Sequence, residues 1–529
     1  MALLTRYQTN RLLLILFIFV TIYAVLRIYF YYNQPSLIIS PHPDGLNFAF
    51  TITDDPDKNK FEKIKIIYDF LLEEKMPITA LVWVKKATRT NLPPIQPLKE
   101  YRYGDTLEKE EYLRYFQFLH SHGFEIGTHT ITAGADYREE TLAGYELFKE
   151  YFGQYPKMVI MHSHNLENLY WGKYSVSNPI LRAIVGFIAD VPYSGHIEGS
   201  EYFWGDFAKE NIKYMRMWGT PSINTLKFNP NMPYHDPEKK YVNYLFSFSD
   251  GFNYDIFMDL MQDDNIEQLK EERGISIVYT HFADGFVKDS VLHSDFKNQI
   301  RKITRDPQAW LAPASTILDR LLMLKNITIH QRDDYFLISN CNTEPVTGLT
   351  ILTRENKKLY SQSEKPFIAN EENEIIFGSM KPRETIILSS SKSPGLNYLI
   401  DISDKSGLIE SGDISIHLNG GVKNTGIFLQ EEENAYIIIN TSLDTLRDVC
   451  VNYSDNRSLF TPLGEEIEIN DNQFFIDILN PMQNIAIYKD NSRILRDYEI
   501  GGMEGINLLW GRILVFLQDG NFLKAKWWR

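Results

Sequence analysis

The chain of 529 residues has 69 acidic and 54 basic residues, a formal net charge of −15, and 44% hydrophobic residues. Its length predicts several domains and its composition is that of a folded protein. An acidic chain without a long basic block is a poor partner for nucleic acid. Only two cysteines occur, Cys341 and Cys450, so a cysteine zinc cluster is excluded and any metal site must use histidines and carboxylates.

The N-terminal region contains an apolar run, Leu12–Tyr32, interrupted only by Arg27. It is long enough as a helix to cross a bilayer. Arg6 and Arg11 precede it, whereas roughly 25 residues after it hold no Lys or Arg, which predicts a cytoplasmic N-terminus. We therefore predict a single-pass membrane anchor over residues 1–33, with the bulk of the chain extracytoplasmic. The alternative, a cleaved signal peptide, is disfavoured because no cleavage site follows the run.

Residues 40–325 alternate between strand and helix patterns, which predicts a parallel sheet with helical crossovers, closed into a (β/α) barrel. Functional side chains then belong at the carboxyl ends of the strands. The predicted strands are Leu46–Thr53, Ile78–Val84, Phe124–Thr128, Lys157–Met161 and Ile275–Thr280, and the predicted helices are Lys60–Glu74, Leu107–His122 and Leu142–Phe152.

The following half of the chain reads as all-β, with short runs separated by Asn, Gly, Asp and Ser. The stretch from Tyr335 (YFLISNCNTEPVTGLTIL) is similar to the stretch from Tyr436 (YIIINTSLDTLRDVCVNY), and Pro382 and Pro481 occupy matching places later in each. We expect two β-sandwich-like modules, residues 326–392 and 393–492, since about 100 residues is the size of such a module. The alternative is that two strand-rich stretches share a pattern by chance.

The C-terminal segment, residues 493–529, contains an apolar run from Ile506 and ends in Lys524, Lys526, Trp527, Trp528 and Arg529. It is too short to span a bilayer. An amphipathic segment at the membrane interface and a helix packed on a domain both fit this pattern.

Ionisable residues follow several predicted strands. Asp54 and Asp55 end the first, and two adjacent carboxylates near a sheet core require a neutralising cation. His129 follows the strand Phe124–Thr128 and can offer a neutral nitrogen to that cation. Taken alone, Asp54 and Asp55 could be an ordinary pair of acids in a loop. Taken alone, His129 could be a histidine that only hydrogen bonds in the core or a loop.

Three further histidines lie at the same predicted edge. His162 and His164 follow the strand Lys157–Met161, and His281 follows Ile275–Thr280, where it can act as a proton donor. The spacing of His162 and His164 leaves open which of them would bind a metal ion. The recurrence of ionisable residues at one edge predicts a single site.

These motifs resemble the polysaccharide deacetylase family, carbohydrate esterases related to chitin-oligosaccharide deacetylase. FAFTITDDPD resembles the first family motif, Thr-Phe-Asp-Asp; HGFEIGTHT resembles the second, VYTHF the late histidine motif, and WLAPASTILDRLL the closing helix. The resemblance implies a distorted (β/α) barrel. It also implies that Asp54 is the general base, that Asp55 and His129 bind the metal, and that His281 is the general acid.

The sequence departs from the family in two places. The second motif of the family has another histidine four residues after the first, and here that position is Ala133. His162 or His164 would then complete the metal site, with Asp136 a weaker candidate. The arginine-proline motif of the family is not recognisable, which indicates a divergent member. Asn165 and Asp284 are candidate substrate-binding residues.

The predicted function is metal-dependent removal of acetyl groups from a cell-surface or extracellular polysaccharide, at an amide or an ester. Zinc is the default ion for a set of histidines and carboxylates. The first alternative is a glycoside hydrolase that pairs Asp54 with Glu125 or Asp284 across a glycosidic bond. The second is a catalytically inactive glycan-binding or assembly module, for which Ala133 is the main evidence.

Overall fold

A computed structural model describes fourteen ranges of the chain. They are residues 37–88, 104–163, 165–176, 182–183, 192–332, 335–353, 358–361, 366–371, 373–389, 408–417, 427–431, 435–441, 445–461 and 465–490. The predicted anchor at residues 1–33, the C-terminal segment at 493–529 and His164 lie outside them. Among the described helices, none is both long and apolar enough to cross a membrane.

The first half of the chain forms a parallel barrel. The first eleven strands are β1 (Leu37–Ile39), β2 (Phe48–Asp54), β3 (Thr79–Val82), β4 (Glu125–Thr128), β5 (Met158–Val159), β6 (Tyr214–Thr220), β7 (Tyr244–Asp250), β8 (Ile275–Thr280), β9 (Val287–Lys288), β10 (Val291–Leu292) and β11 (Ala309–Leu311). Strands β2 to β8 pair in sequence order, and β8 pairs again with β2, so seven strands close the barrel; β11 pairs with the first half of β2.

Helices cover the outside of this barrel. They are α1 (Phe61–Glu73), α2 (Glu110–Ser121), α3 (Arg138–Phe152), α4 (Gly205–Asn211), α5 (Thr225–Phe228), α6 (Tyr254–Leu260), α7 (Asp263–Glu271), α8 (Ser294–Thr304) and α9 (Ala314–Lys325). Helix α1 shows the pattern they follow, because Ile64, Ile67, Tyr68 and Leu71 form one buried stripe against the sheet.

The sequence explains why the barrel strands are buried on both faces. All seven residues of β2, FAFTITD, are buried, as expected of a parallel strand that lies between a core and a layer of helices. The predicted parallel barrel is confirmed, and the five predicted strands correspond to β2, β3, β4, β5 and β8. Strands β6 and β7 were not predicted, although they complete the closure.

The second half is built from antiparallel sheets. Its strands are β12 (Ile327–Arg332), β13 (Tyr335–Asn340), β14 (Val346–Thr353), β15 (Lys358–Ser361), β16 (Pro366–Ile368), β17 (Glu374–Met380), β18 (Thr385–Ser389), β19 (Leu408–Ser411), β20 (Ile414–His417), β21 (Ile427–Glu431), β22 (Ala435–Asn440), β23 (Leu446–Tyr453), β24 (Gln473–Leu479) and β25 (Asn484–Tyr488). One pair of sheets has the orders β12-β13-β18-β15-β16 and β1-β14-β17, and the other has β19-β20-β23-β24 and β21-β22-β25. Each pair encloses its own apolar core.

The strands of the two predicted β-modules follow one another in a similar order. Strands β13, β14, β17 and β18 correspond in order to β22, β23, β24 and β25. Pro382 and Pro481 lie in the matching last turns, and the next residues, Arg383 and Met482, both have a positive φ, 59° and 56°. Strand β1 was not expected here, since Leu37–Ile39 joins the first pair of sheets through β14 before the chain enters the barrel.

Candidate active site

The carboxyl end of the barrel gathers a group of one carboxylate and two imidazoles. Asp57, His129 and His162 each offer one ligand atom, and these atoms lie within 4.8 Å of one another. Asp57 Oδ1 is 3.3 Å from His162 Nε2, and Asp57 Oδ2 is 3.4 Å from His129 Nε2. The three residues follow β2, β4 and β5, whose carboxyl ends meet at one edge because the strands are parallel.

His281, which follows β8, adds a third ring nitrogen. Its Nε2 lies 3.5 Å from Asp57 Oδ2. Burial lowers the pKa of His281, but the Asp57 carboxylate beside it, together with the charge of Asp55, raises this pKa overall to about 9. Tyr279 stands beside it, with its hydroxyl 3.4 Å from the same nitrogen.

Each of the three imidazoles is held by its other nitrogen. In every case Nδ1 faces an oxygen that can only accept a hydrogen bond, so Nδ1 carries the hydrogen and the lone pair of the neutral ring is on Nε2. The partners are the Ile160 carbonyl for His129 at 3.2 Å, Asn165 Oδ1 for His162 at 3.0 Å and the Phe252 carbonyl for His281 at 3.0 Å.

This arrangement tests whether a metal ion fits. When His129 and His162 are neutral, their lone pairs face the Asp57 carboxylate, so acceptors face acceptors, and a cation between them removes the repulsion. When His162 is protonated, its Nε2 instead donates to Asp57 Oδ1 at 3.3 Å. Asp57 Oδ2 is buried and accepts no hydrogen bond from the described residues. Although burial raises the pKa of Asp57, His162 and the neighbouring imidazoles bring it well below its usual value, so the carboxylate is charged. The group therefore fits a divalent cation.

An indole forms the wall behind the two imidazoles of this group. Trp83 stacks on His129 with ring centroids 6.2 Å apart and meets His162 edge to face at 5.6 Å. Its Nε1 donates to the His129 carbonyl oxygen at 2.8 Å. The next residue after His129, Thr130, has φ 58°, an unusual value for a β-branched residue. Strain of this kind persists where the surrounding structure fixes the backbone, as it does at this group.

The side chain at position 133 cannot coordinate a metal ion, and His162, which follows another strand, offers an imidazole in its place. Ala133 is buried, 2% exposed, four residues after His129. His162 comes from the loop after β5, and its ring centroid is 5.1 Å from that of His129, at an angle of 83°. The second imidazole of the group is therefore present in space, although the spacing along the chain differs from the family motif.

Asp55 is engaged by an arginine rather than by the three-residue group. Arg216 of β6 donates to both of its oxygens, from Nη1 at 3.0 Å and from Nη2 at 2.6 Å. Asp55 Oδ2 remains 3.7 Å from His129 Nε2. Arg216 is flanked by two rings, with its guanidinium 4.2 Å from the centre of Tyr279 and 5.0 Å from that of Phe248. Asp55 was predicted as a metal ligand, and the structure places Asp57 in the metal-binding group instead.

Asp54, the predicted general base, is fully buried at the end of β2. One oxygen accepts from Tyr68 at 2.8 Å and from Asn59 at 3.1 Å, and the other accepts from the backbone N–H of Phe282 at 2.8 Å. Burial raises its pKa to about 7. Asp54 therefore fixes the segment that follows His281.

The remaining predicted residues are distributed as follows. Asn165 was predicted to contact substrate, but it is fully buried and its side chain hydrogen bonds with His162. Asp284 is paired with Lys58 at 2.9 Å. Glu125, the partner required by the glycoside hydrolase alternative, begins β4 at the opposite end of the barrel, where Thr79 Oγ1 donates to it at 2.6 Å. His164 lies outside the described residues.

Two residues of the site were missed by sequence reasoning. Asp57 lies in the motif FAFTITDDPD, but the sequence does not show that the turn at Pro56 places the Asp57 side chain over the end of β2. The close approach needs Gly104, where a Cβ atom would lie 2.3 Å from the Pro56 carbonyl oxygen. Arg216 could have been found from the sequence. It is the one charged residue in the apolar strand YMRMWGT, and a buried charge needs a partner of opposite charge.

No family model and no curated protein matches the chain. Solved structures match the barrel half. A peptidoglycan deacetylase from Bacillus subtilis is 12% identical, with 54% of this chain and 95% of that chain covered and a TM-score of 0.26. A family 4 acetyl xylan esterase from Clostridium thermocellum, solved with cobalt, is 11% identical, with 51% and 90% covered and a TM-score of 0.24.

A 4-alpha-glucanotransferase from Thermococcus litoralis also matches, at 14% identity, with 52% of this chain and 40% of that chain covered and a TM-score of 0.29. Deacetylase structures are thus found among the matches, as the sequence resemblance predicted. At these identities and scores the matches carry no argument about activity, so the assignment of function depends on the geometry of the site.

Proposed function

We propose that the protein is a metal-dependent hydrolase that removes acetyl groups from a polysaccharide. The observation that carries the proposal is the Asp57 carboxylate, whose Oδ2 is buried and which faces the Nε2 atoms of three imidazoles. A binding site for a divalent ion with a second, separately held carboxylate beside it suits metal-assisted hydrolysis of an amide or an ester.

In this proposal the ligands are Asp57, His129 and His162, and zinc is the default ion for that set. The ion, when bound, polarises the carbonyl of the acetyl group and lowers the pKa of a water molecule. Three protein ligands leave a position open for substrate, which distinguishes a catalytic site from a closed structural one.

Asp55 is proposed as the general base in place of Asp54. Its Oδ2 lies 3.7 Å from His129 Nε2, at the edge of the metal-binding group, and the two hydrogen bonds from Arg216 hold it in one orientation. A carboxylate fixed in this way can remove the proton from the attacking water. Asp54 keeps a positioning role through the backbone of Phe282.

His281 is proposed as the general acid. Its ring is fixed by the Phe252 carbonyl and its Nε2 faces Asp57, on the side of the group away from His162 in the barrel order. When the ring is protonated, which its raised pKa favours, Nε2 carries a hydrogen. His281 can donate this hydrogen to the leaving amine or alcohol, so that acetate and a free sugar group are the products.

The polysaccharide substrate and the extracytoplasmic location are also proposals. The first is supported by the resemblance of the motifs FAFTITDDPD, HGFEIGTHT and VYTHF to polysaccharide deacetylases, and the second by the apolar run Leu12–Tyr32. In this proposal the two predicted β-modules bind or orient the polymer.

Acetate release tests the proposal. The full chain in detergent would be treated with a chelator, dialysed, and assayed with and without zinc on N-acetylated glucosamine oligomers and O-acetylated xylan. We expect acetate from at least one substrate, loss of activity after chelation and recovery with zinc. New reducing ends without acetate would contradict the proposal in favour of a glycosidase. Zinc binding with neither product would contradict it in favour of an inactive glycan-binding module.

A further inference from the structure

We propose that Asn165 is a positioning residue that sets the tautomer and orientation of His162, and through them the affinity of the metal site. This inference rests on the proposed function for its consequence in catalysis. Its evidence is independent of activity, because it consists of the hydrogen bonds around one buried amide.

The direction of the Asn165 amide is determined by what surrounds its nitrogen. Nδ2 lies among four oxygen atoms, namely the Gly134 carbonyl at 2.7 Å, Glu167 Oε1 at 2.8 Å, the Thr132 carbonyl at 3.2 Å and Thr130 Oγ1 at 3.2 Å. An amide nitrogen donates and an amide oxygen accepts, so the reverse orientation would place an oxygen among these acceptors. Oδ1 is therefore the atom that faces His162.

The fixed amide in turn fixes the imidazole. Asn165 Oδ1 accepts from His162 Nδ1 at 3.0 Å, so Nδ1 carries the hydrogen and Nε2 presents its lone pair to the ion. Partners of this kind determine which nitrogen binds a metal, and their loss typically weakens metal binding about 10- to 100-fold.

The shell behind Asn165 is rigid and buried. Glu167 and Asp136 are 1% and 3% exposed, and the Asp136 backbone N–H donates to Glu167 Oε2 at 3.2 Å. Asp136 accepts from the backbone N–H of Thr132 at 3.1 Å. Burial and then the charge of Asp136 raise the pKa of Glu167 well above its usual value. The segment after His129 and the segment after His162 are thereby joined through Asn165.

A matched control is present in the same loop. Asn168 is as fully buried as Asn165, but its Nδ2 donates to the backbone carbonyl of His162 at 2.7 Å and not to the ring. Asn168→Ala therefore disturbs the same loop without removing the acceptor of the imidazole. A comparison of Asn165→Ala with Asn168→Ala separates an effect on the ring from an effect on the loop.

The test measures zinc affinity by competition with a chelator in the full chain, and the His162 tautomer by the ring nitrogen shifts of the metal-free protein. We expect Asn165→Ala to weaken zinc binding about 10- to 100-fold and to populate both tautomers, and Asn168→Ala to change affinity less than about 3-fold. Unchanged affinity in Asn165→Ala, or equal losses in both variants, would overturn the inference. If the wild-type chain binds no zinc, the proposed function fails, while the tautomer measurement still decides the role of Asn165.

Discussion

The two ends of the barrel both bury carboxylates, and they treat them differently. At the amino end, Glu125 accepts from Thr79 Oγ1 at 2.6 Å and from both the backbone N–H, at 3.1 Å, and the hydroxyl of Ser315. At the carboxyl end, Asp57 Oδ2 receives no hydrogen bond from the described residues although three imidazoles surround the carboxylate. The difference shows that burial of an acid alone does not identify a functional site.

What separates the two ends is the presence of donors. Hydrogen-bond donors compensate a carboxylate for the loss of water on burial. Glu125 also lies at the N-terminus of α9, where the helix dipole favours a negative charge. A buried carboxylate that faces lone pairs needs a cation from outside the chain. The first arrangement stabilises the fold, and the second is suited to a ligand.

The largest expected effect concerns Asp55. If it is the general base, Asp55→Asn should lower the rate of acetate release about 100- to 10,000-fold at unchanged zinc content. The measurement is kcat together with zinc analysis on the same sample. Asp54→Asn is the control for the base assigned from the family resemblance, and a larger loss of kcat in a folded Asp54→Asn protein would return the role to Asp54.

Arg216→Lys should have a smaller effect on the same carboxylate. A lysine keeps the positive charge but cannot donate to both oxygens in the fixed geometry of a guanidinium group. We expect kcat to fall about 10- to 100-fold with little change in KM, since the base is misplaced and substrate binding is not. Wild-type kcat in this variant would show that the charge of Arg216 matters and its two hydrogen bonds do not.

A substitution at the amino end of the barrel should lower the stability of the protein and leave its catalytic rate unchanged. Glu125→Ala leaves Thr79 Oγ1 and the backbone N–H of Ser315 without their acceptor, which typically costs about 1–3 kcal/mol of unfolding free energy. We expect a lower thermal midpoint and an unchanged kcat per folded molecule. A specific loss of kcat without loss of stability would contradict the contrast between the two ends and revive the glycoside hydrolase alternative.

The expected effect that is smallest near neutral pH is a pH dependence of stability at the amino end. His42 is buried with its Nε2 3.1 Å from the Gly274 carbonyl, and burial lowers its pKa from 6.5 to about 3. Below pH 6.5, His42 binds a proton in the unfolded chain but not in the folded chain. The free energy of unfolding therefore falls progressively between pH 6.5 and 3. His42→Gln should flatten this part of the stability curve in denaturant unfolding, and an unchanged slope would contradict the assignment.

The sequence predicted local features better than contacts between distant elements. The strand Leu46–Thr53 and the helix Lys60–Glu74 correspond to β2 and α1 because periodicity within one segment decides them. Strands β6 and β7 were missed, and the Asp55–Arg216 pair joins residues 161 apart in the chain. No pattern in a single sequence connects an acid after β2 with an arginine in β6.

The candidate site shows the same limit on a smaller scale. The edge of the sheet and His129, His162 and His281 follow from strand order, since parallel strands end together. The choice of Asp57 over Asp55 depends on the turn at Pro56, and the role of Asn165 depends on oxygens supplied by two different segments. Tertiary packing determines these contacts, and the spacing of residues along the chain does not reveal them.

The most direct test of the central claim is the zinc content of two single-residue variants compared with the wild-type chain. Asp57→Asn and Asp55→Asn differ by two positions in the sequence and remove the same charge. The proposed assignment predicts about one zinc ion per chain in the wild type and in Asp55→Asn, and loss of zinc from Asp57→Asn in a protein that remains folded. Zinc retained by Asp57→Asn and lost from Asp55→Asn would contradict it.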